Sequence, residues 1–520
     1  MKRKPLLFCL LCLLLSAAAL LLCGCSDSQD GDAEGQVSAA YDDVLRISTD
    51  NAVESVDPAH LYSPTEIAIG KLVYQGVVAM DADGEIVAAL ARNWTVSEDG
   101  RTYTFHLHSG ATFHNGNAVT AYDVKYSWER MLRQNSPSSY IFASVQGYDR
   151  IRSGNSTTLS GVEVLDDRTL TVTLSERDDQ FLANLSLPAA SVLNGEEITS
   201  QGDDFARPSD DRTAYALPSG TGPYRLTEWL TGESVVLGLY DDYYDADFEP
   251  VARRLEFYIG LERDMAVSRL IGGRLDVVTG LTPALISTDL ERSGAIIRRE
   301  PSRDFYFLVF NIFREPFNSA ALREAAAASI DVEAILNEAL GGSALAPESF
   351  VDYFYEQNQS EVSVTTDPAH AQEILAQAGY GISEENPVLA SFQLDCGPSA
   401  LEVAIAQICA DSLRDLGFEV EVVSHSYREL RNLVRTGNTT VYLGSFTDDG
   451  GGLNSFFAQT VDHRRQNVIP YGNWTSDMLN GYEAYGGGER YLFDQAAQLL
   501  ESSNVIRFLA YRDLYWAEMP

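Results

Sequence analysis

Residues 388–446 read VLASFQLDCGPSALEVAIAQICADSLRDLGFEVEVVSHSYRELRNLVRTGNTTVYLGSF. Apolar residues first crowd a short run, "VLASFQLD", then spread to helical spacing from Ala400 to Leu416, where Gly417 supplies a C-terminal stop. "FEVEVVSH" returns to strand chemistry, "SYRELRNLVRTG" to a helix and "TVYLGSF" to a strand. Strand, helix, strand, helix, strand in close succession builds a parallel sheet with right-handed crossovers. A ligand crevice is expected beyond the carboxyl ends of such strands, and Thr447, Asp448 and Asp449 follow one of those ends.

Outward from this unit the chain keeps alternating. "VLRIST" near the start and "RTLTVTLS" read as strands, and "RTYTFHLHSGATFHNG" alternates aromatic and polar residues with period two, as a half-buried hairpin does. Asp83-Gly84 is a hairpin turn signal. Thr120, with Asp123 three places on, predicts an acidic capping box opening the helix "AYDVKYSWERMLR". The class is α/β with mixed sheets, and the length allows two or three domains.

The first residues read differently. Lys2, Arg3 and Lys4 precede an apolar run from Leu6 to Leu22, and Cys23-Gly24-Cys25 closes it, the order of a secretory leader. The flank is similar to a bacterial lipobox, with Cys25 as the first mature residue carrying lipid on its sulfur. An uncleaved signal anchor is the alternative. Residues 26–43 are acidic and small, and predict a disordered tether reaching roughly 24 Å r.m.s.. The formal net charge of −38 excludes nucleic acid as a partner class, because phosphate binding needs an excess of positive charge. Beyond the leader only Cys396 and Cys409 remain. A helix between them separates their Cα atoms by roughly 15 Å, too far for a disulfide, so two free thiols are expected.

Catalytic signatures are missing: the sequence holds no G-x-S-x-G, H-E-x-x-H, Walker A or G-x-G-x-x-G motif. His106, His108 and His114 bracket one stretch without a third ligand at zinc spacing, so neither a metal nor any other cofactor is expected. Paired carboxylates of a glycosidase type stay open among so many acids. The balance favours binding over catalysis.

Three blocks carry a family resemblance. The first is "SVDPAHLYSPTEIAIGKLVYQGVVAMDADGEIVAALARNWTVSEDGRTYTFHLHSGATFHNGNAVTAYDVKYSWERM", the second "SGTGPYRLTEWLTGESVVL", the third "FNIFREPFNSAALREAAAASIDVEAIL". In content and order they resemble the extracellular solute-binding proteins of peptide and nickel ABC importers, family 5, from about residue 45 to the end. The resemblance implies a two-lobed periplasmic-binding-protein-like fold of type II, with an extra subdomain inserted in lobe one. Lobe I would be 44–69, 201–304 and 506–520, the insert 70–200 and lobe II 305–505, behind a leader 1–25 and the tether 26–43.

It also implies a monomeric, non-enzymatic receptor, lipid-anchored through Cys25 on the extracellular or periplasmic face of the cell membrane. Such a receptor closes over an oligopeptide and hands it to ABC permease subunits. Family peptide binders hold the ligand's amino end with a carboxylate after the last parallel strand, which falls on Asp449 with Asp448 beside it. A turn acid before Gly450–Gly452 is the plain alternative. Leu61, Tyr62 and Ser63 match the first-lobe cleft segment, Tyr140 a pocket aromatic, and Phe446 and Thr447 backbone offered to the ligand. Gln75 stands where the family has glutamate, Leu453-Asn454 replaces Pro-Asp, and Asp395-Cys396 stands where dipeptide binders place an arginine. The last of these departures argues against a strict dipeptide receptor. Longer peptides, a nickel chelate, an opine or an oligosaccharide remain as cargo, and a surface hydrolase or an adhesion or signalling protein as other classes.

Overall fold

The computed structural model describes residues 43–49, 52–81, 84–134, 136–202, 205–208, 217–342, 344–346, 350–356, 366–381, 388–448, 452–453, 455–456 and 502–520. The leader with Cys25, the tether up to residue 42, and Asp449 lie outside these residues.

Strand β1 (Val44–Thr49) leads through a 3-10 turn at Pro58–His60 into helix α1 (Pro64–Val73). Ser63 caps α1, and Glu66 returns the bond in a capping box. A hairpin of β2 (Val78–Met80) and β3 (Ile86–Ala88) follows. Gly84 at its turn has φ +81°, a conformation that a side chain resists. Next comes a four-stranded antiparallel sheet: β4 (Ala91–Val96), β5 (Thr102–Leu107), and after helix α2 (Ala121–Arg133), β6 (Val162–Asp166) and β7 (Thr169–Thr173). Thr120 and Asp123 form the expected capping box of α2. The stretch 101–116 is not one hairpin, however. β5 pairs with β4 and β7, while residues after Leu107 turn away and send Ala111 and Phe113 into the core. Alternation continued past the strand because Ala111 and Phe113 are buried from a loop.

The chain then lays down β8 (Tyr224–Leu230), β9 (Ser234–Leu239), β10 (Arg254–Ile259) and β11 (Val277–Thr279), and enters the 15-residue strand β12 (Ile296–Phe310). A short β13 (Ala344–Leu345) precedes the region that opened the sequence reading. There β14 (Ser391–Cys396), helix α3 (Ala400–Leu416), β15 (Glu419–Ser424), helix α4 (Tyr427–Arg435) and β16 (Val441–Phe446) appear in order, with β14 parallel to both neighbours. Strand β17 (Ile506–Glu518) closes the fold.

One sheet of order β15-β14-β16-β12-β17-β11-β1-β10-β9-β8 runs through the molecule, with β13 on β17. It belongs to two lobes. β12 and β17 are antiparallel and shared: Ile296–Pro301 pair with Asp513–Glu518, and Phe305–Val309 with Ile506–Tyr511. Their register breaks between Pro301 and Phe305. On one side of the break lies the core built on Leu45, Val73, Tyr224, Trp229 and Phe257. On the other lie the core around Ala406, Leu413 and Leu443 and an aromatic cluster of Phe305, Phe350, Phe446, Phe456, Phe508 and Tyr511. The inserted sheet has its own core around Trp128, Phe105 and Phe142. Cys396 and Cys409 are buried and unbridged, and burial pushes both thiols up to about 12.

Candidate ligand cleft

The cleft follows from where the parallel strands end. β14 accompanies β16 only as far as Asp395 opposite Tyr442. From Leu443 onward that edge of β16 has no strand neighbour among the described residues, while β12 holds its other edge to Phe446. Leu443, Gly444, Ser445, Phe446 and Thr447 line a cavity of about 160 Å³. Its opposite wall is Leu61 and Tyr62 from the segment before α1, and its end is Tyr427, Leu430 and Arg431 of α4. A smaller chamber of about 20 Å³ continues inward between Asp304, Tyr306, Ser399, Glu402 and Arg512.

Charge is arranged in pairs here. Arg512 Nη2 lies 3.2 Å from Asp304 Oδ2, and the Asp448 amide donates to Asp304 Oδ1 at 3.1 Å. Burial pushes the Asp304 carboxyl up, against the pull of Arg512 and of that amide. Glu402 accepts from the hydroxyls of Ser399 (2.7 Å), Tyr427 (2.9 Å) and Ser445 (3.0 Å). Two contacts span the cleft. Glu54, just after β1, accepts the amides of Tyr427 (3.1 Å) and Arg428 (3.4 Å) at the start of α4. The Arg431 guanidinium sits 4.7 Å from the centroid of the Tyr62 ring.

Of the residues singled out from sequence, Leu61, Tyr62, Phe446 and Thr447 meet in this cavity wall. Phe446 offers backbone there, since its ring packs 5.0 Å from Phe305 in the aromatic cluster. Ser63 is not part of the wall; it is buried, accepts the Glu66 amide at 3.1 Å and donates to the Ala52 carbonyl at 3.2 Å. Tyr140 is also elsewhere, in the core of the inserted subdomain. Asp448 stands behind the wall, accepting the Gly452 amide at 3.0 Å with Arg303 at 3.8 Å. Asp395 is buried too, its Oδ1 2.8 Å from His425 Nε2.

Sequence reasoning passed over Asp304, Glu402, Tyr427, Arg431 and Arg512. Ser399-x-x-Glu402 is a readable capping box, and Tyr427 and Arg431 share a helix face at i, i+4. Asp304 and Arg512 meet only through the pairing of two strands far apart in the chain, which leaves no local signal. Among the described residues no three His, Cys, Asp or Glu side chains converge as a metal site would need, and no helix is long and apolar enough to cross a membrane.

Two lobes on a shared pair of crossing strands, with the cavity at their junction, define a solute-binding receptor of the periplasmic type. The sequence comparison narrows the class. Residues 85–467 match the family model described as bacterial extracellular solute-binding proteins, family 5 Middle, and the chain belongs to that family. It is similar to the periplasmic oligopeptide-binding protein OppA of Escherichia coli, 24% identical over 467 residues, covering 86% of this chain and 82% of the relative. The dipeptide-binding protein DppE of Bacillus subtilis is 29% identical over 322 residues, covering 61% of this chain and 57% of the relative. Among solved structures, Haemophilus influenzae OppA in complex with the peptide RPPGFSPFR superposes with TM-score 0.77 at 20% identity, covering 92% of this chain and 95% of that one.

Proposed function

We propose that the chain is the substrate-binding protein of an ABC importer. It captures oligopeptides in the inter-lobe cleft and delivers them to membrane permease subunits while held by lipid on Cys25. One observation carries the peptide reading: the edge of β16 from Leu443 to Phe446, unpaired among the described residues, lines the cavity. Free amides and carbonyls on a strand edge accept an extended chain as an added strand, whatever its side chains. That is the chemistry of a receptor tolerant of sequence, and relatives named for oligopeptides and dipeptides support it.

In this reading the lobes rock about the register break at Pro301–Phe305, and Asp449 takes the amino end of the peptide. Calorimetry with tri- to hexapeptides tests it. The wild type binds free peptides, and Asp449→Ala loses roughly 2–5 kcal/mol, the cost of leaving a desolvated ammonium unpaired. Equal affinity in both proteins removes the amino-end anchor. If no peptide of any length binds, the cargo is another solute class.

A further inference from the structure

Helices α1, α3 and α4 open with the same Ser-x-x-Glu capping box, yet their glutamates are satisfied in different ways. Glu66 of α1 accepts four backbone amides, from Glu54 (2.8 Å), Ser55 (3.1 Å), Tyr62 (2.9 Å) and Ser63 (3.0 Å). Those donors are fixed by the fold, and Glu66 has no further business. Glu429 of α4 is exposed, and the hydrogen bonds it accepts among the described residues come from the Ser426 amide and hydroxyl.

Glu402 of α3 matches neither. It is 3% exposed, yet it lines both chambers of the cleft. Besides the Ser399 amide at 3.3 Å, its donors are three hydroxyls, which can rotate away and can also accept. Among the described residues no arginine, lysine or histidine is paired with it. Arg512 is held by Asp304, and Arg431 lies over Tyr62. The chain also keeps room for this carboxylate, because a Cβ on Gly397 would fall 2.5 Å from Glu402 Oε2. A carboxylate removed from water needs a cation or a full set of donors. The α3 N-terminus supplies part of that, and the cavity leaves space for the rest.

We propose that Glu402, framed by Tyr427 and Ser445, is a subsite for a cationic group of the cargo, an ammonium or a guanidinium. This rests on the cleft being the ligand site, but not on the cargo being a peptide. The cation is either a basic side chain or a peptide's amino end, the latter replacing Asp449 as its anchor, and the two are separable by probe.

The test titrates wild type, Glu402→Gln and Glu429→Gln with Ala-Ala-Ala, acetyl-Ala-Lys-Ala, acetyl-Ala-Ala-Ala and agmatine, reading affinity by calorimetry and the thermal midpoint. Glutamine at either position keeps the capping role, and Glu429→Gln controls for removing a capping-box carboxylate that does not line the cavity. The wild type and Glu429→Gln bind at least one cationic peptide about tenfold or more tighter than the neutral one, and Glu402→Gln loses that preference. Preference for Ala-Ala-Ala assigns the amino end, and for acetyl-Ala-Lys-Ala the side chain. Equal binding of cationic and neutral peptides by the wild type, or a preference that survives Glu402→Gln, overturns the subsite and leaves the peptide reading standing. If no peptide binds but agmatine raises the midpoint of the wild type and not of Glu402→Gln, the subsite stands and the peptide reading falls. If no probe acts through Glu402, the subsite is refuted.

Discussion

His114 shows how much one side chain can tie together. Its Nδ1 accepts the Gly220 amide at 3.1 Å, and its Nε2–H donates to the Gly222 carbonyl at 2.9 Å, so the ring is held neutral in a single tautomer. Burial holds its pKa down at about 4, with Arg225 adding to the effect and the Gly222 carbonyl opposing it. An unfolded histidine protonates near 6.5, so between about 6.5 and 4 the unfolded chain binds the extra proton. Stability from this group is therefore full above about pH 6.5 and drains away as pH falls toward 4, by on the order of 3 kcal/mol at most. His60, also held at about 4 by burial, adds a slope of the same sign. Urea midpoints measured from pH 4 to 7 should fall less steeply with acid in His114→Gln, which can donate and accept without titrating. Parallel slopes in the two proteins would show that the imidazole does not carry the effect.

At the scale of elements, the "SGTGPY" stretch is a strap drawn across the end of α1. A Cβ at Gly220 would meet the Val73 carbonyl oxygen at 1.8 Å, and one at Gly222 the Leu72 oxygen at 2.3 Å. Both obstacles are backbone, which cannot turn aside. Gly220→Ala should thus cost at least about 1–3 kcal/mol, read as a lower urea midpoint with binding retained in the folded fraction. An unchanged midpoint would mean that the strap and α1 do not pack this closely. The glycines were visible in the sequence as a motif, but their cause was not, since it lies in a helix end about 150 residues away. The same division holds elsewhere. The β14–β16 unit, the Thr120–Asp123 capping box and the two unbridged thiols were legible because each is decided by residues close in sequence. Leu61 and Tyr62 were placed in the cleft only through family likeness, whereas Thr447 also followed from its position at the end of a parallel strand. Asp304 and Arg512 went unread because strand pairing brings them together, and Ser63 and Tyr140 were read as cleft residues although one is a cap and the other core. Burial decides between those roles, and a polar or aromatic residue type does not reveal burial.

In the proposed receptor the two lobes must open and close around cargo, and two contacts across the cleft would bias that equilibrium without any cargo. Glu54 presents a carboxylate to the first amides of α4, where an anion is worth roughly 0.3–1 kcal/mol. Arg431 over Tyr62 adds about 0.5–1 kcal/mol. Together they favour closure by about 1–2 kcal/mol, or roughly five- to thirtyfold in the ratio of closed to open forms. A ligand that binds the closed form gains apparent affinity in proportion to how much of that form already exists. Glu54→Gln combined with Arg431→Gln should accordingly weaken cargo binding by up to that factor. The cargo-free variant should show a larger radius of gyration by small-angle scattering than the cargo-free wild type, and the two should converge at saturating cargo. Added salt should narrow the difference, because the Glu54 share is screened. If affinity falls while the cargo-free scattering curves coincide, Arg431 is touching cargo instead of holding the lobes. If neither changes, closure is set by the crossing strands alone, and the bend between Pro301 and Phe305 is where its free energy resides.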